Sequence, residues 1–122
     1  SKKDQKRLKV IDNFYKEKIT IKSFSEKNLN KVFHYHGRQS VLDILSYRTF
    51  TLKKVDKKLL NLISKFRAKI LPSMPISAKD LIEKYNIPEG KELGNKLKII
   101  EKEWVHNNFE LTDNQINKII SR

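Results

Sequence analysis

The sequence predicts an all-α protein, a helical bundle or array of about six to seven helices with short turns, and three observations predict it. Apolar residues recur at spacings of three and four along most of the chain, as one buried helix face requires. Serine- and threonine-led capping patterns open several of these runs. The one β-branched run, Ile19-Thr20-Ile21, has no partner run of its own kind, so it is read as a connection and not as a strand.

In chain order, Leu8, Ile11 and Tyr15, widened by Val10 and Phe14, give helix one over residues 4–17, behind a strongly basic Ser1–Lys9. Ser25 opens helix two, residues 26–36, in which Leu29, Val32, Phe33 and His36 share a face and Gly37 sits where a terminating glycine belongs. Helix three, residues 38–48, has Val41, Leu42, Ile44 and Leu45 and is apolar on most sides, which predicts burial. Helix four, residues 54–70, carries the clearest amphipathic stripe: Val55, Leu59, Leu62, Ile63, Phe66 and Ile70.

Met74–Trp104 is the most ordered stretch. Ser77 caps a helix start, Asp80 completes a capping box and Ile76 staples onto Leu81. Asn86 tolerates the left-handed conformation that ends a helix, so Asn86–Glu89 is the turn. Leu93, Leu97, Ile100 and Trp104 then mark the core face of a long helix. After a turn at Val105–Glu110, Leu111, Thr112, Gln115 and Ile116 repeat cap, box and staple, opening a last helix over 113–120. Gly90 and Gly94 resist explanation by propensity, since glycine in a helical turn costs roughly 1 kcal/mol against alanine. Lying four apart on one helix side, they are expected to admit a close approach by another backbone or by a phosphate.

Asp-Leu-Ile at 80–82, Ile-Pro-Glu-Gly at 87–90 and Leu-Gly-x-x-Leu at 93–97, ending in Trp104, resemble the C-terminal region of the bacterial tRNA nucleotidyltransferase (CCA-adding enzyme) and poly(A) polymerase family. The likeness is strongest over 74–120 and weaker over 29–71, where Val32–Arg38 resembles the family's helix–glycine–basic segment. Ala78 and Asn86 stand where the family often has glycine, and Lys91 where it often has proline. The family's catalytic head motifs, Gly-Gly-x-x-Arg and Asp-x-Asp, and its Glu-Asp-x-x-Arg nucleotide-selecting motif do not occur in the chain. The resemblance therefore implies the body and tail of such an enzyme, which lie against tRNA, with Mg2+ belonging to the absent head.

At 122 residues one folding unit is expected, with a weak boundary near 72–75, where Pro72 and Pro75 interrupt the pattern. Lys and Arg number 27 against 14 Asp and Glu, a formal charge of +13 that points to a polyanion, RNA or DNA first. A solvated basic surface without a partner, or an anionic membrane surface, is the blander alternative. The absence of cysteine excludes disulfides and thiolate zinc sites. With no apolar run of membrane length and no signal-type core, a cytoplasmic location is expected. A start at Ser1 is consistent with a piece of a longer protein.

No catalytic residue is expected, because nucleotidyl transfer needs paired carboxylates holding two metal ions, and Asp4, Asp12, Asp43, Asp56, Asp80 and Asp113 are dispersed. Nor is a metal site or a cofactor in this chain. His34 and His36, two apart on a helix, diverge too far to share an ion, and His106 is read as a surface or helix-terminal charge. Trp104 and Tyr35 invite base stacking, although Trp104 lies on the core stripe. Lys53, Lys54, Lys57, Lys58, Lys65 and Lys69 lie mostly opposite the stripe of helix four, as Lys91, Lys98 and Lys102 do on the long helix. The expected RNA-binding residues are Arg38, Lys79, Gly90, Lys91, Gly94 and Lys98, grouped around the start of the long helix, where free N–H groups and the dipole favour phosphate. Lysine point charges suit shape recognition of structured RNA, tRNA above all, more than base reading. Competing readings are a helix–turn–helix DNA-binding module over Ser77–Trp104 and a helical protein-interaction domain with an acidic partner.

Overall fold

A computed structural model describes all 122 residues and contains seven α-helices and no strand. The chain divides into two compact units, Ser1–Leu71 and Pro72–Arg122.

The first unit holds α1 (Lys2–Lys16), a single 3-10 turn (Ile21–Phe24), α2 (Glu26–His36), α3 (Arg38–Thr51) and α4 (Lys57–Ala68). Here α3 is the hub, packing on α1, α2 and α4. Its buried side chains are Ser40, Val41, Ile44 and Leu45, none of them beyond the eighth of its 14 residues. The expectation that the whole helix is buried is thus corrected: Tyr47 and Phe50, in its second half, are exposed. Phe33 of α2 meets Phe66 of α4 edge to face, with ring centroids 5.6 Å apart. Between α2 and α3 the chain turns on Gly37 alone, whose φ of 90° is open to glycine and strained for other residues.

Capping decides where these helices begin. The Ser1 side chain accepts from the Asp4 N–H, so α1 starts two residues before the expected position. The Ser25 side chain does the same for the Asn28 N–H, and α2 has its expected bounds. Asp56 accepts from the N–H groups of Lys58 and Leu59, starting α4 at Lys57 and shortening the expected 54–70. Val55 and Ile70 consequently fall outside the helix and are 82% and 84% exposed, so they do not belong to its core stripe, whose buried members are Leu59 and Phe66.

The second unit holds α5 (Ala78–Tyr85), α6 (Lys91–His106) and α7 (Asp113–Ile120), with α6 packed on both neighbours. Ser77 and Asp80 form the capping box, and the N–H of Ser77 holds the Asp80 carboxyl below the usual carboxylate range. Asn86 ends α5 in the left-handed region (φ 55°), as expected. Ile76, Leu81, Ile87, Leu93, Ile100, Ile116 and Ile119 form one core, with Leu97 and Leu111 packed against it. Thr112 and Gln115 form the second box and fix the start of α7.

The long helix runs two residues into the expected turn, to His106, and Val105 is buried beside Trp104. Reversal comes at Asn108 and Phe109, both with positive φ, where the Phe109 N–H donates to the Trp104 carbonyl at 2.8 Å. The Phe109 ring packs edge-on against Trp104 with centroids 4.9 Å apart, which places an aromatic side chain in a conformation it rarely adopts.

Candidate nucleic-acid interface

Charge is distributed unevenly between the units. Ser1–Leu71 holds 19 of the 27 basic residues and six of the 14 acidic ones, a formal +13, whereas Pro72–Arg122 holds eight of each. The entire net charge therefore belongs to the first unit.

Within that unit the cations fall into two kinds. Some are committed to structure. The Arg7 guanidinium of α1 grips Asp43 of α3 through two bonds of 2.9 Å, and the Gln39 amide donates to the same carboxylate. Hydrogen bonding from Arg7 holds the Asp43 carboxyl below its ordinary range and raises the guanidinium in turn. Lys65 and Lys69 of the α4 end reach Glu26 of α2 at 2.6 and 3.1 Å, and Lys69 also donates to Asn30 Oδ1. These contacts depress the Glu26 carboxyl, Lys65 contributing most. Arg48 lies over the Phe24 ring, 5.2 Å from its centroid. Other cations are solvent-facing: Lys53, Lys54, Lys57 and Lys58 cluster in the exposed α3–α4 turn and the first turn of α4.

A groove of about 560 Å³ runs between α1 and the α2–α3 corner, lined by Lys3, Lys6, Arg7, Tyr35, His36 and Gln39 among others. Its neighbour on the other side of α1 is more apolar, with Leu8, Tyr47 and Phe50. Burial pushes the Tyr15 phenol up to about 12, and its hydroxyl donates to the Ile44 carbonyl at 2.8 Å, so this tyrosine serves packing.

The six residues expected to bind RNA are divided between the units, Arg38 in the first and the other five in the second. The Arg38 guanidinium donates to the Lys69 carbonyl at the end of α4, a helix-closing bond. Lys79 stands 4.0 Å from Glu83, one turn on. Gly90 is the N-cap of α6 with φ 141°, and Lys91 and Lys98 are exposed on that helix. Glu89 and Glu92 bracket this terminus, so its local charge is balanced. No other part of the chain makes the close approach allowed for at Gly94: Gly94 is exposed, and nothing lies within 4 Å of where a Cβ would stand, so of the two expected visitors the backbone is ruled out. Nothing of the chain lies within 4 Å of a Cβ at Gly90 either, and its backbone angle is by itself a reason for glycine there.

Sequence reasoning passed over Lys96. It is 8% exposed, and its ammonium donates to the Ile119 carbonyl at 3.1 Å and the Arg122 carbonyl at 2.8 Å, closing the end of α7. Trp104 is 2% exposed and is core. No group of three or more His, Cys, Asp or Glu is arranged to hold a metal ion, and no helix is long and apolar enough to cross a membrane. Comparison with family models, curated proteins and solved structures gives no match to this chain.

Proposed function

We propose that the chain is an RNA-binding region, the C-terminal body and tail of a tRNA nucleotidyltransferase or poly(A) polymerase-like enzyme, holding tRNA while a catalytic head outside these residues extends the 3′ end. The observation that carries RNA binding is the segregation of charge: +13 concentrated in about 70 residues exceeds what solubility needs and suits a phosphate backbone. The choice of tRNA rests on the resemblance over residues 74–120. A helix–turn–helix reading of Ser77–Trp104 loses support, since its second helix lies in the unit without net charge and bears Glu92, Glu101 and Glu103.

The test is the salt dependence of binding to a tRNA transcript and to duplex DNA. Replacing Lys53, Lys54, Lys57 and Lys58 together with alanine is expected to flatten the log–log slope for tRNA by about 0.7–0.9 for each phosphate that no longer meets a lysine. Replacing Lys91, Lys98 and Lys102 is expected to leave it nearly unchanged. Flattening by the second set and not by the first would return the surface to the long helix. Duplex DNA binding as tightly as tRNA would remove the RNA assignment.

A further inference from the structure

The groove between α1 and the α2–α3 corner combines features that phosphate binding alone does not call for. Lys3 and Lys6 stand one turn apart on α1, exposed and unpaired with any carboxylate. Across from them Tyr35 is 54% exposed, although a tyrosine ring ordinarily hides much of its surface. Gln39 and His36 complete the wall with amide and imidazole groups. Its floor is fixed by the Arg7–Asp43–Gln39 bonds of 2.9 Å, which tie α1 to α3 and neutralise Arg7 against Asp43. Net positive charge at the groove therefore comes from the two lysines.

We propose that this groove takes one unpaired nucleotide of the bound RNA, its base stacked on the Tyr35 ring and its flanking phosphates met by Lys3 and Lys6. An exposed aromatic face beside a cationic track is how proteins hold single-stranded nucleic acid, because every base offers a π-face and every link a phosphate. A paired base inside a duplex cannot present that face, which makes the groove selective for loops, bulges and ends. Gln39 is placed to bond a base edge, and its tie to Asp43 limits how far it can move. The inference rests on the RNA-binding reading above.

The experiment compares the full chain on a blunt two-strand RNA duplex, which has no loop, and on the same duplex with a short single-stranded 3′ extension. Tyr35→Ala is expected to weaken the extended duplex between about fivefold and a hundredfold and to leave the blunt one unchanged, with Tyr35→Phe binding like wild type. Lys3→Ala with Lys6→Ala should lower the salt slope on the extended duplex by about 1.4. Tyr35→Leu, which keeps bulk without a flat ring, supplies a second folded variant and should behave as Tyr35→Ala. If wild type binds both duplexes and Tyr35→Ala or Tyr35→Leu weakens them equally or not at all, the groove assignment is overturned and RNA binding stands. If wild type binds neither, both readings fail together.

Discussion

Gly90 and Gly94 sit one helical turn apart, yet the backbone treats them differently. At Gly90 φ is 141°, a region closed to side-chain-bearing residues without strain, so Gly90→Ala is expected to destabilise by about 1 kcal/mol or more. Gly94 is helical, exposed and surrounded by open space, so Gly94→Ala should stabilise by up to about 1 kcal/mol, the helix-propensity difference. Thermal melting of the two variants checks both, and a fall in Tm for Gly94→Ala would restore a packing role. Asp43 gives a prediction in pH. Its folded pKa lies below the unfolded 3.8, so its bond to Arg7 adds stability that is complete above that value and lost as pH falls through the folded one. Glu26 adds a parallel loss beginning below 4.5. In Asp43→Asn the acid-induced loss of stability should be smaller than in wild type, while stability near neutrality is lower; denaturant unfolding at stepwise pH measures the difference. What the sequence revealed at this scale was the oddity of the glycines, and what it hid was the reason, because the space around a Cβ depends on residues far along the chain.

Helix starts were legible because their signals are local. Ser25, Ser77 with Asp80, and Thr112 with Gln115 each bond within three residues, and α2, α5 and α7 begin where these residues place them. The stripe of helix four was overextended because apolar spacing continues through Val55 and Ile70, whereas the helix is set by Asp56 and ends before Lys69. Lys96 was only half legible: three residues after Leu93 and four before Ile100, it falls on the core face of α6, but its partners, Ile119 and Arg122, are more than twenty residues downstream. Its ammonium reinforces the end of α7, where the Ile119 carbonyl also accepts from the Arg122 N–H at 3.3 Å. Lys96→Met keeps the aliphatic stem and removes the donor, so it is expected to cost about 1–3 kcal/mol through the loss of hydrogen bonds from a charged group. Hydrogen exchange should show the last turn of α7 opening faster in this variant. Unchanged protection there would reduce Lys96 to a packing residue.

At the scale of the whole chain, the all-α class and the +13 were both readable from the sequence, but their joint meaning was not. Pro72 and Pro75 mark a weak boundary beside the division at Leu71, but without the division itself the charge was not apportioned to either side, and the expected RNA site was assigned to the start of α6. All of the net charge falls on the first side of that division. The division also predicts how the chain comes apart. No helix spans Lys69–Ser77, and Ile70 and Leu71 are exposed apolar residues, the kind thermolysin cleaves before. Brief digestion is expected to cut at this segment first and to yield two fragments matching the two units. At pH 7 the N-terminal fragment should bind a cation exchanger and elute only at high salt, whereas the C-terminal fragment, with eight basic and eight acidic residues, should pass through. Earliest cleavage inside α3 or α6 would show that the two units are not the chain's independent bodies. Applied to tRNA immobilised on beads, the same digest places binding directly: retention of the N-terminal fragment supports recognition through its basic surface, while retention of the C-terminal fragment alone would show that local interactions around α6 outweigh net charge.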